Sequence, residues 1–490
     1  MINNHKIRIA VILSPLVLAG CVTASDGETY MGLNAGFSTV EAETRLATGK
    51  QAVWVQNREQ AQDLTKRVHG MVHKKTINAD TAVQVALLNN KGLQASYAEV
   101  GMSSAEAWQQ TMLENPTVSI GVLGIAAPEL GAYRAIEGMI ASNILAIMTR
   151  ERRVDIADTK FRQAQQSAAL ATLTLAAETR AAWINAVSAF ETVTYLNRAL
   201  IAADSASELA EELGKTGAFG KSGQARQHVF YAELTGQLAE ARLAANLAKE
   251  ELTRRMGLWG TDVDYFVPNA LPRVPNRVKK KHAIEKEALS RRVDLQVAKL
   301  ELEAVAKSYG LTNATRYVTD IGLLGGAELE RSVDENGNKS SEVTGLLEVD
   351  FSIPIFDSGK ARLRKAEAAY MRAANQLAEK AVNIRSEARS AYTSYRSTHD
   401  IALHYKRNVL PLRTTIDEEA LLTYNGMITS TFELLADTRA QINSLLLSVG
   451  AKKTFWLADA NLSAAIYGGG AASGGSAPAA NVADGGGGGH

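Results

Sequence analysis

The sequence predicts a mostly helical α+β protein built from two copies of one helix–strand–strand–helix unit. Three observations predict this fold. Short motifs recur in the same order in both halves of the chain. Each half holds one very long stretch rich in helix-forming residues and almost free of glycine and proline. Between the helices stand segments in which apolar and polar residues alternate, the pattern of a β-strand with two different faces.

The duplication rests on four matches that follow one another along the chain. "ALLNNKGLQ" (86–94) corresponds to "ALSRRVDLQ" (288–296), and "SIGVLG" (119–124) corresponds to "DIGLLG" (320–325). The series continues with two single-residue matches, Ile144 with Ile353 and Gly217 with Gly426. Because the matches keep their order and nearly their spacing, they indicate an internal repeat.

The two long helices should each turn back in a hairpin. No glycine or proline occurs from Met139 to Leu213, and Pro411 alone interrupts the stretch from Lys360 to Asn425. Helices in globular proteins average about 10–14 residues, so helices this long need neighbouring helices along their length. Glycines follow both stretches, which predicts a tight turn at each end.

The strands carry the argument for a membrane. In "LLEVDFSIPIF" (346–356) the apolar residues alternate with polar ones, at Leu347, Val349, Phe351, Ile353 and Ile355. Two other segments alternate less cleanly, with Tyr317, Thr319, Ile321 and Leu323 on one face and Val118, Ile120 and Val122 on another. A partner strand near 134–146 is poorly patterned. An apolar face of this kind contacts lipid in an outer-membrane barrel. Four strands leave two open edges, so three chains would have to pool about twelve strands to close one.

The start of the chain resembles a bacterial lipoprotein signal. A basic segment and a short apolar run lead to Leu18-Ala19-Gly20-Cys21, which is similar to a lipobox, and Cys21 is the only cysteine. The resemblance implies cleavage before Cys21, acylation of its thiol, and, with Val22 after it, sorting to the outer membrane. The alternative is an ordinary secretory signal in which the cysteine is incidental.

The composition argues against nucleic acid as a partner. Lys and Arg number 53 against 52 for Asp and Glu, a net charge of +1, whereas nucleic-acid binders usually carry a basic excess. A catalytic constellation is also lacking in the sequence, so we expect no enzyme activity and no cofactor apart from the lipid. His69 and His73 have the i,i+4 spacing of a metal pair, but without a third ligand in the nearby sequence we expect surface histidines and no metal site.

The chain resembles the TolC-type outer-membrane factor family, the outer-membrane efflux lipoproteins. The resemblance is carried by "LEVDFSIPIFDSGKARLRKAEAAY" (347–370), by "ALSRRVDLQVAKLELEAV" (288–305), by "NPTVSIG" (115–121) and by "YNGMITSTFELLADTRAQI" (424–442). It covers about residues 79–466. It implies a homotrimer with a 12-stranded outer-membrane β-barrel, continued by a long periplasmic α-helical barrel. The implied partners are a periplasmic adaptor protein, an inner-membrane pump and outer-membrane lipid.

The resemblance and the repeats together divide the chain into five parts. We expect a lipoprotein signal peptide at 1–20, a lipid-anchored leader at 21–78, repeats at 79–275 and 276–466, and a disordered Gly/Ala-rich tail at 467–490. One departure from the family pattern lies in the first repeat. "NILAIMTRER" (143–152) stands where a proline-containing bend is expected, so the strand must pass into the helix differently.

The resemblance assigns candidate roles to residues of three kinds. Pro354 and Gly359 would form the bend from barrel to helix. The adaptor would contact the hairpin tips at Gly217, Ser222, Gly426, Thr429 and Ser430. Glu433 and Asp437, four residues apart and therefore on one helix face, would ring the periplasmic constriction and gate it.

The predicted function is the outer-membrane exit duct of a tripartite efflux or secretion system that passes small toxic compounds, drugs or metal ions. Two alternatives stay open. One is a duct for type I protein secretion, and the other, of a different class, is a periplasmic coiled-coil lipoprotein with a structural or adaptor role. The last would account for the lipobox and the helices but not for the duplicated strand pair.

Overall fold

The computed structural model describes residues 28–125, 133–217, 219–278, 283–333, 337–425 and 431–470. Within them the chain is mostly α-helical and contains one four-stranded antiparallel sheet. The predicted combination of dominant helices with a small sheet is therefore confirmed. Among the described residues, no helix is both long and apolar enough to cross a membrane.

The first half of the chain starts with short helices and ends with two long ones. Its elements are α1 (Glu28–Met31), α2 (Phe37–Thr48), α3 (Arg58–Val72), α4 (Ala79–Asn89), α5 (Lys91–Thr111), β1 (Thr117–Leu123), β2 (Ala135–Asn143), α6 (Ile144–Lys215) and α7 (Lys221–Met256). A 3₁₀ helix (Gly260–Val263) follows.

The second half repeats this order from its own helix pair onwards. Its elements are α8 (Ile284–Arg291), α9 (Val293–Ala314), β3 (Ile321–Val333), β4 (Lys339–Phe351), α10 (Lys360–His404), α11 (Leu410–Asn425) and α12 (Thr431–Tyr467). In both halves a short and a longer helix precede two strands, and a long helical stretch and a returning helix follow them. This shared order is what a duplication predicts.

Pro411 interrupts the second long helix without ending it. Between α10 and α11 the backbone widens into a π-helical segment, Tyr405–Val409, in which the Leu410 N–H donates to the Tyr405 carbonyl. A proline inside a helix supplies no N–H and its ring crowds the carbonyl four residues earlier. The wider turn accommodates that ring, so the helix continues with a local irregularity.

The chain folds into two compact units, each drawing on both repeats. One unit comprises Ala98–Gln165, Ala298–Leu377 and the described residues up to Ser38, and it contains the sheet. The other comprises Thr39–Tyr97, Gln166–Val297 and the described residues from Ala378, and it is helical. We refer to them as the sheet unit and the helical unit. Strands of both repeats pair in one sheet, which explains why the units do not coincide with the repeats.

The sheet has the strand order β1-β2-β3-β4, and every neighbouring pair is antiparallel. Its strand limits correct the expected alternation in two places. β4 ends at Phe351, so the expectation that Ile353 and Ile355 continue the strand is wrong. β3 begins at Ile321, so Tyr317 and Thr319 precede it. Pro354, which cannot donate a ladder hydrogen bond, accounts for the early end of β4.

The helical unit is held by close packing of small and branched side chains. One cluster joins α6, α7 and α12 through Leu196, Ala199, Ala203, Phe230, Leu234 and Leu238, with Ile442 and Leu446 packed against it. Elsewhere in this unit Glu191, 2% exposed, accepts hydrogen bonds from Lys452 Nζ at 2.6 Å and from the Leu271 N–H at 2.9 Å. Because the buried carboxylate has both a cation and a backbone donor, its burial is compensated.

Candidate functional site: an apolar sheet face and two hairpin tips

The register of the sheet places apolar residues of all four strands on one face. In an antiparallel sheet, residues directly opposite each other have side chains on the same side. Ile321 lies opposite Phe351 and Leu323 opposite Val349, and Ile140 lies opposite Val118. Extending these pairs defines the apolar face, made of Val118, Ile120, Val122, Ile136, Ile140, Ile321, Leu323, Leu329, Val343, Leu347, Val349 and Phe351.

The apolar face is open in the single chain. Ile120 and Leu347 are each 77% exposed, and Phe351 is 59% exposed. Soluble monomers rarely leave a contiguous apolar surface of this extent uncovered, and such surfaces mark contacts with a membrane or another protein. The alternation in β4 therefore predicts the correct face of the sheet, although the chain by itself leaves that face bare.

The opposite face of the sheet carries acidic residues that pair across the strands, where the sequence predicts only a polar face in β4. Glu137 lies opposite Glu328, and Glu330 lies opposite Glu342. Arg134 forms an ion pair with Glu330 at 3.2 Å. Like charges directly opposite each other destabilise a sheet unless water or counter-ions solvate them. The two faces thus suit different surroundings, one apolar and one aqueous. The acidic residues are visible in the sequence of each strand, but only the pairing register shows that they lie opposite one another on one face.

The second strand-to-helix junction depends on a glycine. Gly359 is buried and has a φ of +71°, and a Cβ built on it would lie 2.6 Å from the Arg316 carbonyl oxygen. Its N–H donates to Asp357 Oδ1 at 2.8 Å, and its carbonyl accepts from the Leu363 N–H in the first turn of α10. Pro354 is half-buried in the irregular segment between β4 and α10. Both predicted bend residues therefore lie in that segment.

The first junction uses an asparagine instead. β2 ends at Asn143 and α6 begins at the next residue. The Asn143 side-chain oxygen accepts the Ala146 N–H at 2.9 Å, the geometry of a helix N-cap. Arg150, one turn further on, donates to the Thr111 carbonyl at the end of α5. The expectation that this junction bends without proline or glycine is met by a capped turn.

The first hairpin tip is a glycine turn between α6 and α7. Gly217 is exposed with a φ of +77°, and its N–H donates to the Gly214 carbonyl at 3.1 Å. Ser222 is exposed in the first turn of α7. Both residues proposed as adaptor contacts are therefore exposed, Gly217 just after the end of α6 and Ser222 at the start of α7.

Exposed charge pairs lie at the end of the helix that leads into this tip. Lys215 Nζ donates to Glu212 at 2.7 Å and lies 3.3 Å from a Glu211 oxygen. Hydrogen bonds to Glu212 and then Glu211 raise the pKa of Lys215, which stays protonated at neutral pH. Because the pairs are exposed, they contribute little to the free energy of folding.

The second tip carries the two proposed gate carboxylates. Glu433 is exposed and Asp437 half-buried on α12. Further along α12, Ile442 and Leu446 pack against the cluster around Phe230. At about 100° per residue, the Glu433 and Asp437 side chains lie on the opposite side of α12 from those two apolar residues. They therefore point away from the cluster around Phe230.

Several predicted site residues fall outside the described part of the chain. Cys21 precedes it, and Gly426, Thr429 and Ser430 lie in the gap between α11 and α12. Lipidation of Cys21 and the adaptor contacts at those three residues stay predictions.

The expectation that no third donor accompanies the two histidines is wrong. Asp262 is far from the histidines in sequence, but its Oδ1 lies 2.5 Å from His69 Nδ1. The two imidazole rings stack with their centroids 4.5 Å apart. The local sequence around His69 could not reveal a partner that the fold brings in from another segment.

Comparisons with known proteins agree with this geometry. Residues 285–411 match the family model for outer membrane efflux proteins. No curated protein gives a significant sequence match. The fold is similar to that of CusC, with a TM-score of 0.67, 16% identity and coverage of 80% of this chain and 92% of that one. The CmeC outer membrane channel of Campylobacter jejuni has a TM-score of 0.65 and 17% identity, with coverage of 88% of this chain and 92% of that one. The MtrE channel of Neisseria gonorrhoeae in its open state has a TM-score of 0.61 and 15% identity, with coverage of 79% of this chain and 88% of that one.

Proposed function

We propose that this chain, which carries an outer membrane efflux protein domain at residues 285–411 in the fold of the outer-membrane channels, is the outer-membrane exit duct of a tripartite efflux system. The duct passes small toxic compounds, drugs or metal ions, from an inner-membrane pump and a periplasmic adaptor to the outside. It performs no covalent chemistry.

The observation that carries the proposal is the two-faced sheet. Its apolar face is in register across four strands, and its acidic face is directed the other way. Within the described residues β1 and β4 each pair with one neighbour only, so the sheet has two open edges. Unpaired edges are not tolerated in lipid. A closed barrel formed from the sheets of three chains would satisfy the edges, place the apolar face against lipid and enclose the acidic face around water.

The helical hairpins would form the periplasmic part of the duct. The tips at Gly217 and Ser222, with Gly426, Thr429 and Ser430, would meet the adaptor. The carboxylates of Glu433 and Asp437, once repeated by threefold symmetry, would bring like charges together at the constriction and favour cations there. Acylated Cys21 would add an outer-membrane anchor to the one supplied by the barrel.

Membrane extraction tests the proposal. The full chain should fractionate with the outer membrane, require detergent for release, and have the mass of three chains after correction for bound detergent. A Cys21→Ser variant that still reaches the outer membrane should require detergent as well, because the barrel holds it. A monomer released into buffer by this substitution would contradict the duct and favour a periplasmic lipoprotein held only by its lipid.

A further inference from the structure

Three side chains with metal-binding donors meet on the surface of the helical unit. His69 lies in the last turn of α3, His73 directly follows that helix, and Asp262 lies in the 3₁₀ helix Gly260–Val263. One ligand atom from each lies within 4.8 Å of the other two. We propose that His69, His73 and Asp262 bind a single divalent transition-metal ion, which fastens α3 of the leader to the last part of the first repeat.

The hydrogen bond of His73 orients its ring for metal binding. His73 Nδ1 lies 3.2 Å from the Thr261 carbonyl oxygen. A carbonyl only accepts hydrogen bonds, so Nδ1 carries the proton and the neutral ring has its lone pair on Nε2. Metal-binding histidines typically donate their second ring N–H to a carbonyl or carboxylate in this way, which fixes both tautomer and ring orientation.

Asp262 supplies the negative charge that a cation needs. Its side chain is 18% exposed, whereas that of His69 is 47% exposed. The carboxylate is therefore mostly covered, with the exposed His69 imidazole and the half-buried His73 imidazole beside it. A cation that binds here gains one full negative charge and two neutral nitrogen donors, and it keeps a position for water.

The backbone holds the two ligand-bearing segments together before any ion binds. The Lys74 N–H donates to the Asp264 carbonyl at 2.6 Å, and the Phe266 N–H donates to the Lys75 carbonyl at 2.9 Å. The Ile77 N–H returns a bond to the Phe266 carbonyl at 2.9 Å. These bonds flank the donors on both segments, so an ion would meet a site whose backbone is already placed.

The remaining adjustment is small. Bonds of about 2.0–2.2 Å to a tetrahedral ion put its ligand atoms about 3.3–3.6 Å apart. The present separations reach at most 4.8 Å, so the wider ones must shorten by about 1 Å. The 2.5 Å contact between His69 and Asp262 must open by a similar amount, as the ion takes the place of the shared proton, which leaves to solvent. Imidazole nitrogens suit Zn²⁺, Cu²⁺, Ni²⁺ and Co²⁺, whereas Mg²⁺ and Ca²⁺ prefer oxygen ligands. The site therefore favours the first group of ions.

The proposal can be tested by titrating Zn²⁺ into the full chain in detergent and measuring the heat of binding by calorimetry. The native chain should bind one Zn²⁺ per chain. His73→Ala should weaken binding by about tenfold or more, since even the loss of an outer hydrogen-bond partner costs that much in known sites. His404→Ala, at an exposed histidine elsewhere in the helical unit, should bind Zn²⁺ like the native chain. Absence of saturable binding, or equal binding by the His73 variant, would overturn the proposal.

Asp262→Asn separates a metal site from a simple hydrogen-bonded latch. The amide still offers an oxygen to His69 but has no charge, so Zn²⁺ affinity should fall while the metal-free fold persists. Hydrogen exchange provides the second readout. Zn²⁺ should slow amide exchange in Gly260–Val263 of the native chain and leave it unchanged in the variant. Equal slowing in both proteins would reject the site, whatever the outcome for the exit duct.

Discussion

The sheet unit and the helical unit use their apolar residues in opposite ways. In the helical unit Leu234 and Leu238 are 2% and 3% exposed, packed with Phe230 between helices of one chain. In the sheet unit Leu347 and Val349 are 77% and 57% exposed, although Val349 lies opposite another apolar residue, Leu323. The helical unit thus completes its core within one chain. The sheet is held by its hydrogen bonds, but its apolar face is not covered within the single chain.

The difference explains which parts of the molecule tolerate change. A buried leucine in the helical unit contributes through packing, so its loss leaves a cavity. An exposed leucine of the apolar face adds nothing to stability in water, but it favours insertion of the sheet into lipid. The following substitutions separate these two roles.

The largest effect is expected from a charge on the apolar face. Leu347→Arg would place a guanidinium against lipid at a cost of about 2–4 kcal/mol per chain near the middle of a bilayer. Three chains would multiply that cost, so the outer-membrane trimer should be lost. Thr344→Arg, on the opposite face of the same strand, should leave assembly intact. The amount of trimer in outer-membrane extracts measures both, and equal yields would contradict the assignment of the faces.

A cavity in the helical unit should have the next largest effect. Leu234→Ala should lower the free energy of unfolding by about 2–5 kcal/mol. Leu243→Ala, at a leucine that is 60% exposed on the same helix α7, should change it by less than about 0.5 kcal/mol. Denaturant unfolding of the detergent-solubilised protein, followed by helical circular dichroism, gives both values. Similar losses for the two variants would mean that the cluster around Phe230 is not a core.

Gly359→Ala should cost somewhat less. The positive φ alone disfavours an alanine by about 1–2 kcal/mol, and its Cβ would also press on the Arg316 carbonyl. Gly345→Ala is the matched control, because a Cβ on that glycine meets no atom within 4 Å. The midpoint of thermal unfolding should fall for the first variant and hold for the second. An unchanged midpoint in Gly359→Ala would remove this glycine from the bend.

The smallest structural effect is expected at the proposed gate. Glu433→Ala removes an exposed charge and should change the free energy of unfolding by less than about 0.5 kcal/mol. Its effect should appear in function, as a higher ion conductance of the resting duct in planar bilayers. Glu418→Ala, an exposed carboxylate on α11 of the same hairpin, is the control. If conductance in Glu433→Ala equals that of the native duct, the gate lies elsewhere.

Local sequence patterns predicted much of this architecture. The alternation from Leu347 to Phe351 gave the apolar face of β4, and the duplicated motifs gave the repeated order of elements. The family resemblance is confirmed at residues 285–411 by the family model, and the similarity to CusC confirms the fold. The poor pattern of β2 has a physical reason, since Gly138 and Ser142 stand on its apolar side.

Long-range geometry set the limits of prediction. The end of β4 at Phe351 depends on Pro354 more than on the apolar residues around it, so alternation alone overran the strand. The acidic face needed the pairing register, because Glu137 and Glu328 come from different repeats. Asp262 reaches His69 only through the fold. In each case the decisive contact joins segments that are far apart in the sequence.

A cysteine scan along β4 tests the central claim most directly. Single cysteines at 346–351 would carry a fluorophore in the assembled protein, with the native chain, whose only cysteine is Cys21, as the background. Lipids with brominated chains should quench the label at 347, 349 and 351, whereas a water-soluble quencher should act at 346, 348 and 350. This period of two is the predicted result. Equal quenching at all six positions, or the reverse pattern, would contradict an apolar face against lipid.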